Sequence, residues 1–171
     1  MQYEQIVSLG DFAPMHKWDM TCLKAPVGVD MPTDLNTRML STDVPKTDAG
    51  QTTDVWIRGI RIRQPGIMAA SPNLTLGFAE TADYRMLQAL AQWRQQCFNI
   101  QNGVQARNQD VKAIFQLVRK NRQDIPVYVY IIKGCFLEDY DPAGGQLDGE
   151  NSDIVRPTLT LSIDTFTEAP L

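Results

Sequence analysis

The stretch PNLTLGFAETADYRMLQALAQWRQQCF, Pro72 to Phe98, runs a short alternating segment straight into an amphipathic one, and its reading decides the fold. Leu74, Leu76 and Phe78 alternate with Thr75 and Gly77, the period of a half-buried β-strand. Met86, Leu90, Trp93 and Cys97 then recur at helical spacing with arginines and glutamines between them, so these four are the expected core face of a helix. Thr81 or Asp83 is expected to cap its N-terminus by accepting a free backbone N–H. Almost all of the remaining chain reads as strand. One helix on a β-rich domain, with no catalytic cluster, points to a structural or assembly protein before an enzyme.

Outward from that unit, residues 54–63 (DVWIRGIRIR) read as one strand with a change of phase. Val55 and Ile57 share one parity, Ile60 and Ile62 the other, and Gly59 between them predicts a β-bulge. Residues 110–119 and 125–133 predict a hairpin. Its second arm alternates Val127, Val129 and Ile131 against Tyr128, Tyr130 and Ile132, so both faces are apolar and burial on both sides is expected. Near the end, Leu159, Leu161 and Ile163 alternate with polar residues, a final strand with its apolar face inward. At the start, Trp18, Met20 and Cys22 alternate within an otherwise irregular segment. Residues 25–54 are rich in Pro, Thr, Asp and Gly, with scattered apolar positions. Unstructured loops beyond about 12–15 residues are uncommon in compact domains, so this segment is expected to be a long inter-subunit loop or hairpin. Short connections and antiparallel logic predict a single domain, residues 1–171: an antiparallel β-sandwich or barrel with one packed helix.

At 171 residues and 43% hydrophobic, the chain is long and apolar enough for one globular core. No apolar run approaches the roughly 20 residues of a membrane-spanning helix. The N-terminal residues lack the positive region and apolar core of a signal peptide, so the protein is expected to start life in a cytoplasm. Cys22, Cys97 and Cys135 match no metal or redox spacing and read as buried, reduced thiols. The one histidine, His16, cannot build a catalytic triad or a two-histidine metal site. Residues 139–150 echo a calcium loop, with Asp139, Asp141, Gly144 and Glu150 in the first, third, sixth and twelfth places. Ala143 and Leu147 stand where oxygen ligands belong, and the flanks are strands, so a solvated loop is the better reading. Asp34, Asp43, Asp48 and Asp54 are read as turn-capping acids, since nothing sets any two of them across a cleft. Arg58, Arg61 and Arg63, with Arg85 and Arg94, offer a basic strip to an acidic neighbour. No cofactor is expected. The net charge of −4 argues against a protein that grips nucleic acid.

A run of features recurs in a fixed order. Cys22-Leu23-Lys24-Ala25 precedes Pro26. Pro65-Gly66 precedes Asn73 to Phe78, then Asp83-Tyr84 and a helix carrying Trp93. Ile131 to Phe136 ends on Gly134 and an aromatic, and a last alternating strand runs from Thr158 to Phe166. Over residues 20–166 this order resembles the tail tube proteins of contractile-tailed bacteriophages, a family related in fold to the tube proteins of type VI secretion. Segment 25–54 matches that pattern poorly, and Phe166 stands in for the family's terminal aromatic cluster.

The resemblance implies a hexameric ring whose inner strands form one continuous β-barrel. Rings would stack into a hollow tube inside a contractile sheath, in a virion tail assembled in the host cytoplasm. It implies self-assembly, with sheath, tape measure, baseplate and tail terminator proteins as partners, and DNA passing through the lumen without specific binding. Expected subunit contacts are Asp34, Arg38, Met39 and Asp43 in the long segment, with Arg58, Arg61, Arg63, Tyr128 and Tyr130. A net negative subunit would repel phosphate from the lumen wall. Two alternatives remain: a type VI-like secretion tube, and a small β-rich binding module or enzyme, which would be monomeric with a concave pocket.

Overall fold

Leu74, Leu76 and Phe78 are all about 1% exposed, so the alternation that opened the reading is a core strand. The structure is a computed structural model and describes residues 4, 8, 10–48, 50–71, 73–150 and 152–171. Its strands are β1 (Trp18–Lys24), β2 (Met39–Thr42), β3 (Thr52–Ile57), β4 (Ile60–Pro65), β5 (Asn73–Phe78), β6 (Ala113–Lys120), β7 (Pro126–Asp141), β8 (Thr158–Ser162) and β9 (Thr165–Pro170). Among the described residues the main helix is α2 (Arg85–Cys97), with single turns α1 (Leu35–Arg38) and α3 (Asn108–Val111).

Every strand pairing is antiparallel, along the path β1-β6-β7-β8-β5-β2, with β9 on the free side of β7. Strand β7 belongs to two sheets. Its first half lies between β6 and β9, and its second half pairs with β8. Gly134, at the change-over, has φ +72. A Cβ there would stand 2.1 Å from Asp164 Oδ2, so this position requires glycine for its backbone and for its space. The sheet does not close on itself among the described strands.

One core fills the space between the two sheets and α2. Met20, Phe115, Leu117 and Ile132 come from the first sheet (β1-β6-β7-β9); Leu76, Leu137, Leu159 and Leu161 come from the second. Met86, Ala89, Leu90 and Trp93 form the buried face of α2 as the spacing predicts, while Cys97 is only half-buried. Trp93 is fully buried, and its Nε1 donates to the Val111 carbonyl at 2.8 Å.

Two local expectations need correction. The backbone N–H groups of Met86 and Leu87 donate to Glu80, at 3.4 and 2.8 Å, an acceptor the sequence did not single out, while Asp83 takes the N–H of Arg85. Tyr84 at φ 52 turns the chain into the helix and brings Glu80 back over its first turn. Arg38 Nη1 meets the same Glu80 carboxylate at 3.3 Å, with Arg38 and Glu80 side chains 7% and 1% exposed. Removing one partner of a buried ion pair is costly; here Arg38 would keep Asp34 at 2.8 Å, but the buried end of its guanidinium and the first-turn N–H groups would lose their acceptor. Glu80→Ala is therefore expected to cost about 3 kcal/mol or more, read as a lowered midpoint in thermal unfolding.

The second correction concerns residues 54–63, which are not one bulged strand. Arg58 and Gly59, at φ 50 and 81, form a two-residue turn that reverses the chain between β3 and β4. A type I′ hairpin turn needs positive φ at both central residues. The reversal itself explains the change of phase: Val55 faces Ile62 and Ile57 faces Ile60, so all four lie on one face.

Candidate assembly surfaces

Among the described residues the first sheet ends on β1 and β9, neither paired with a further strand; at β9 the outer edge is bare, while at β1 the Asn36 side chain from α1 accepts the Met20 N–H at 2.8 Å. Successive strands alternate in direction, so β1 and β9 run oppositely. A second copy set beside β9 with its own β1 would continue the antiparallel alternation. Open strand edges present unpaired N–H and C=O groups that template such pairing.

The face of the first sheet turned away from the core is read from its register. One rung is Asp19, Val118, Val129 and Ala169; the next is Thr21, Gln116, Ile131 and Thr167. The third is Lys24, Ile114, Lys133 and Thr165. Asp19 is ion-paired with Lys120, whose hydrogen bond is the main reason its carboxyl titrates below the usual carboxylate range.

A third surface is the arm that carries β3 and β4. From Thr42 outward the two sides of a ribbon pair by Asp43 N–H to the Thr75 carbonyl (3.0 Å), Ser71 N–H to that of Lys46 (2.8 Å) and Gln51 N–H to that of Ile67 (3.1 Å). Among the described residues strands β3 and β4 pair only with each other, and residues 50–69 are all exposed. Val55, Ile57, Ile60 and Ile62 make its aliphatic face, 38%, 54%, 68% and 44% exposed. The opposite face carries Trp56, Arg61, Arg63 and Asp54, with Arg63 Nε donating to Asp54 Oδ1 at 3.0 Å. An isolated two-stranded ribbon is at best marginally stable in water, so an uncovered apolar face of this kind asks for a partner surface.

The residues singled out from sequence are distributed as follows. Arg38 and Met39 turn inward, and Val29, Leu35 and Met39 join the core, so the first half of segment 25–54 packs on its own subunit. Asp34 Oδ2 accepts from Arg38 Nε at 2.8 Å, and Asp43 Oδ2 accepts from Thr75 N–H at 3.1 Å. Arg58 stands at the tip of the arm, and Arg61 and Arg63 along it. Tyr128 and Tyr130 lie on the core side of the first sheet with ring centroids 5.1 Å apart. Loss of hydration, with Glu168 beside it, pushes the Tyr128 phenol up.

Arg94 is spent on the Glu138 carbonyl (2.6 Å), and Arg85 and His16 are exposed. Burial pushes the Cys22 thiol up to about 11 and Cys135 up to about 12, and raises Cys97, the behaviour of inert thiols. Asp141 Oδ1 is occupied by the N–H groups of Ala143 and Gly144. Asp139, Asp141 and Glu150 do not gather: among the described residues no three His, Cys, Asp or Glu side chains form a metal-sized group. Sequence reasoning missed Val55, Ile57, Ile60 and Ile62 as one exposed face, with Trp56 exposed on the other, and β9 as an unpaired edge strand. The signal for the arm was present, because two alternating runs separated by two residues, the second a glycine, is a hairpin pattern.

No protein-family model matches the chain. No curated protein matches it in sequence. Among solved structures it is similar to the tube-terminating cap of the anti-feeding prophage, at TM-score 0.64 and 17% identity over 96% of this chain and 99% of that one. It is similar to a chain of the sheath/tube terminator of an extracellular contractile injection system, PVC, at TM-score 0.65 and 14% identity over 94% and 99%. A chain of the sheath-tube complex of that system matches at TM-score 0.59 and 17% identity over 100% and 99%. The chain therefore has the mainly β, antiparallel fold of contractile tail tube and tube-terminator proteins.

Proposed function

We propose that this protein is the structural subunit of a tube of the contractile-tail kind. Copies join edge to edge, β9 of one to β1 of the next, into a hexameric ring whose first sheets make a continuous inner barrel. Rings then stack, through the arms, into the hollow conduit for DNA ejection inside a sheath. The interface is head-to-tail, which closes into a ring when the rotation per copy closes. The arm carries the reading: an aliphatic face exposed on a ribbon with no support from its own body is explained by burial against a further copy. Segment 25–48 contributes by bracing the base of the arm rather than by reaching out itself. Sheath, tape measure, baseplate and terminator proteins are the partners of such a tube.

Electron microscopy of the purified full chain tests this, and rings or tubes are the expected result. Neighbouring residues of an edge strand direct their N–H groups to opposite sides. So of Thr167→Pro and Glu168→Pro, one is expected to keep the fold and abolish rings. A chain that stays monomeric at high concentration overturns the proposal.

A second reading rests on the two terminator structures among the similar ones: a ring that ends the tube instead of extending it. Single rings without tubes in the same images favour that reading.

A further inference from the structure

The outward face of the first sheet does not share the charge of the whole chain. The protein carries −4 overall, but the sole acid on the three paired rungs of this face is Asp19, and Lys120 holds it in an ion pair. Asp164, whose N–H donates to the Lys133 carbonyl at 3.2 Å, is held by Lys112. Lys24 and Lys133 lie on one rung on either side of Ile114. Both are exposed, and neither makes an ion pair among the described residues. Two strand spacings put their backbones about 10 Å apart. The other two rungs present aliphatic, threonine and glutamine side chains and no free charge.

We propose that Lys24 and Lys133 form a phosphate-contacting rung, and that it closes into a cationic collar around the lumen when copies join into a ring. This rests on the tube reading above for the closure, and it reverses the expectation drawn from total charge. A double-stranded nucleic acid is the occupant, because its backbones present phosphate to lysines repeated around one level wherever along its length the duplex sits. Contact is confined to that level, so the duplex is held weakly there and slides past the uncharged rungs. Each phosphate contact by lysine adds to the salt dependence of binding without adding sequence preference.

The test uses the purified full chain before assembly, when this face is open, with a labelled DNA duplex of about 20 base pairs and binding followed by anisotropy across a salt series. The wild type is expected to bind with an affinity that falls steeply with salt. K24Q/K133Q is expected to lose about tenfold or more at low salt and to lower the salt slope by about two. K46Q, on the base of the arm, is expected to change neither. Equal binding by wild type and K24Q/K133Q overturns the proposal, as does no binding by the wild type. Tighter binding of polyglutamate than of the duplex also overturns it, and makes an acidic polypeptide the occupant. Tubes that form normally while the lysine variant binds unchanged sink this inference alone. Lysine-dependent binding by a chain that never forms rings sinks the tube reading and leaves the phosphate contact standing.

Discussion

Excising residues 52–65, with a short glycine-serine link between Gln51 and Gly66, leaves a folded, soluble subunit that no longer builds tubes. The cut ends are already neighbours, since Gly66 N–H donates to the Gln51 carbonyl at 2.6 Å. Nothing in the excised piece contributes to the core: β3 and β4 pair only with each other, and all their residues are exposed. Thermal unfolding is therefore expected within a degree or two of the full chain, because exposed loop tips tolerate such cuts. Long tubes in electron micrographs are expected to vanish. Ile57→Asp with Ile60→Asp is the finer form of the same experiment, placing charge on the aliphatic face while the arm remains. Removing residues 30–50 instead would take Leu35, Arg38 and Met39 out of the interior, and the fold would fail before assembly was tested. Tubes of normal length from the excised chain would falsify the role given to the arm.

Trp93→Ala is expected to destabilise the subunit by about 3–5 kcal/mol, the range for truncating a large buried aromatic. Trp93 is fully buried where α2 meets β6, with its ring centroid 6.4 Å from that of Phe115. Truncation opens a cavity between the helix and the first sheet, and it leaves the Val111 carbonyl without its donor. At about 2–4 °C per kcal/mol for a domain of this size, the unfolding midpoint should fall by roughly 6–20 °C. Trp93→Phe separates the two losses. It keeps most of the packing and removes only the hydrogen bond, so about 1–3 kcal/mol is expected. A midpoint unchanged by Trp93→Ala would mean that α2 does not anchor the core.

The elements whose period is local were legible. Leu74, Leu76 and Phe78 point inward because side chains alternate along a strand, and Met86, Leu90 and Trp93 because a helix repeats every three to four residues. The order of motifs carried the fold class as well. The arm was misread because Arg58 holds a turn position usually given to Asn, Asp or Gly, at a cost of about 1–2 kcal/mol for a non-glycine residue there. The capping role of Glu80 was hidden because the residue lies several positions before the helix and is returned by Tyr84.

Acting alone, the order of residues along the chain determined strand, helix and the inward side of each, since those depend on neighbours a few positions apart. Only the folded molecule decided which strands stay at an edge, that β7 serves two sheets, and which side chains share the outward face with Lys24 and Lys133. Register between distant segments sets all three, and net charge, being a sum, carries no record of position.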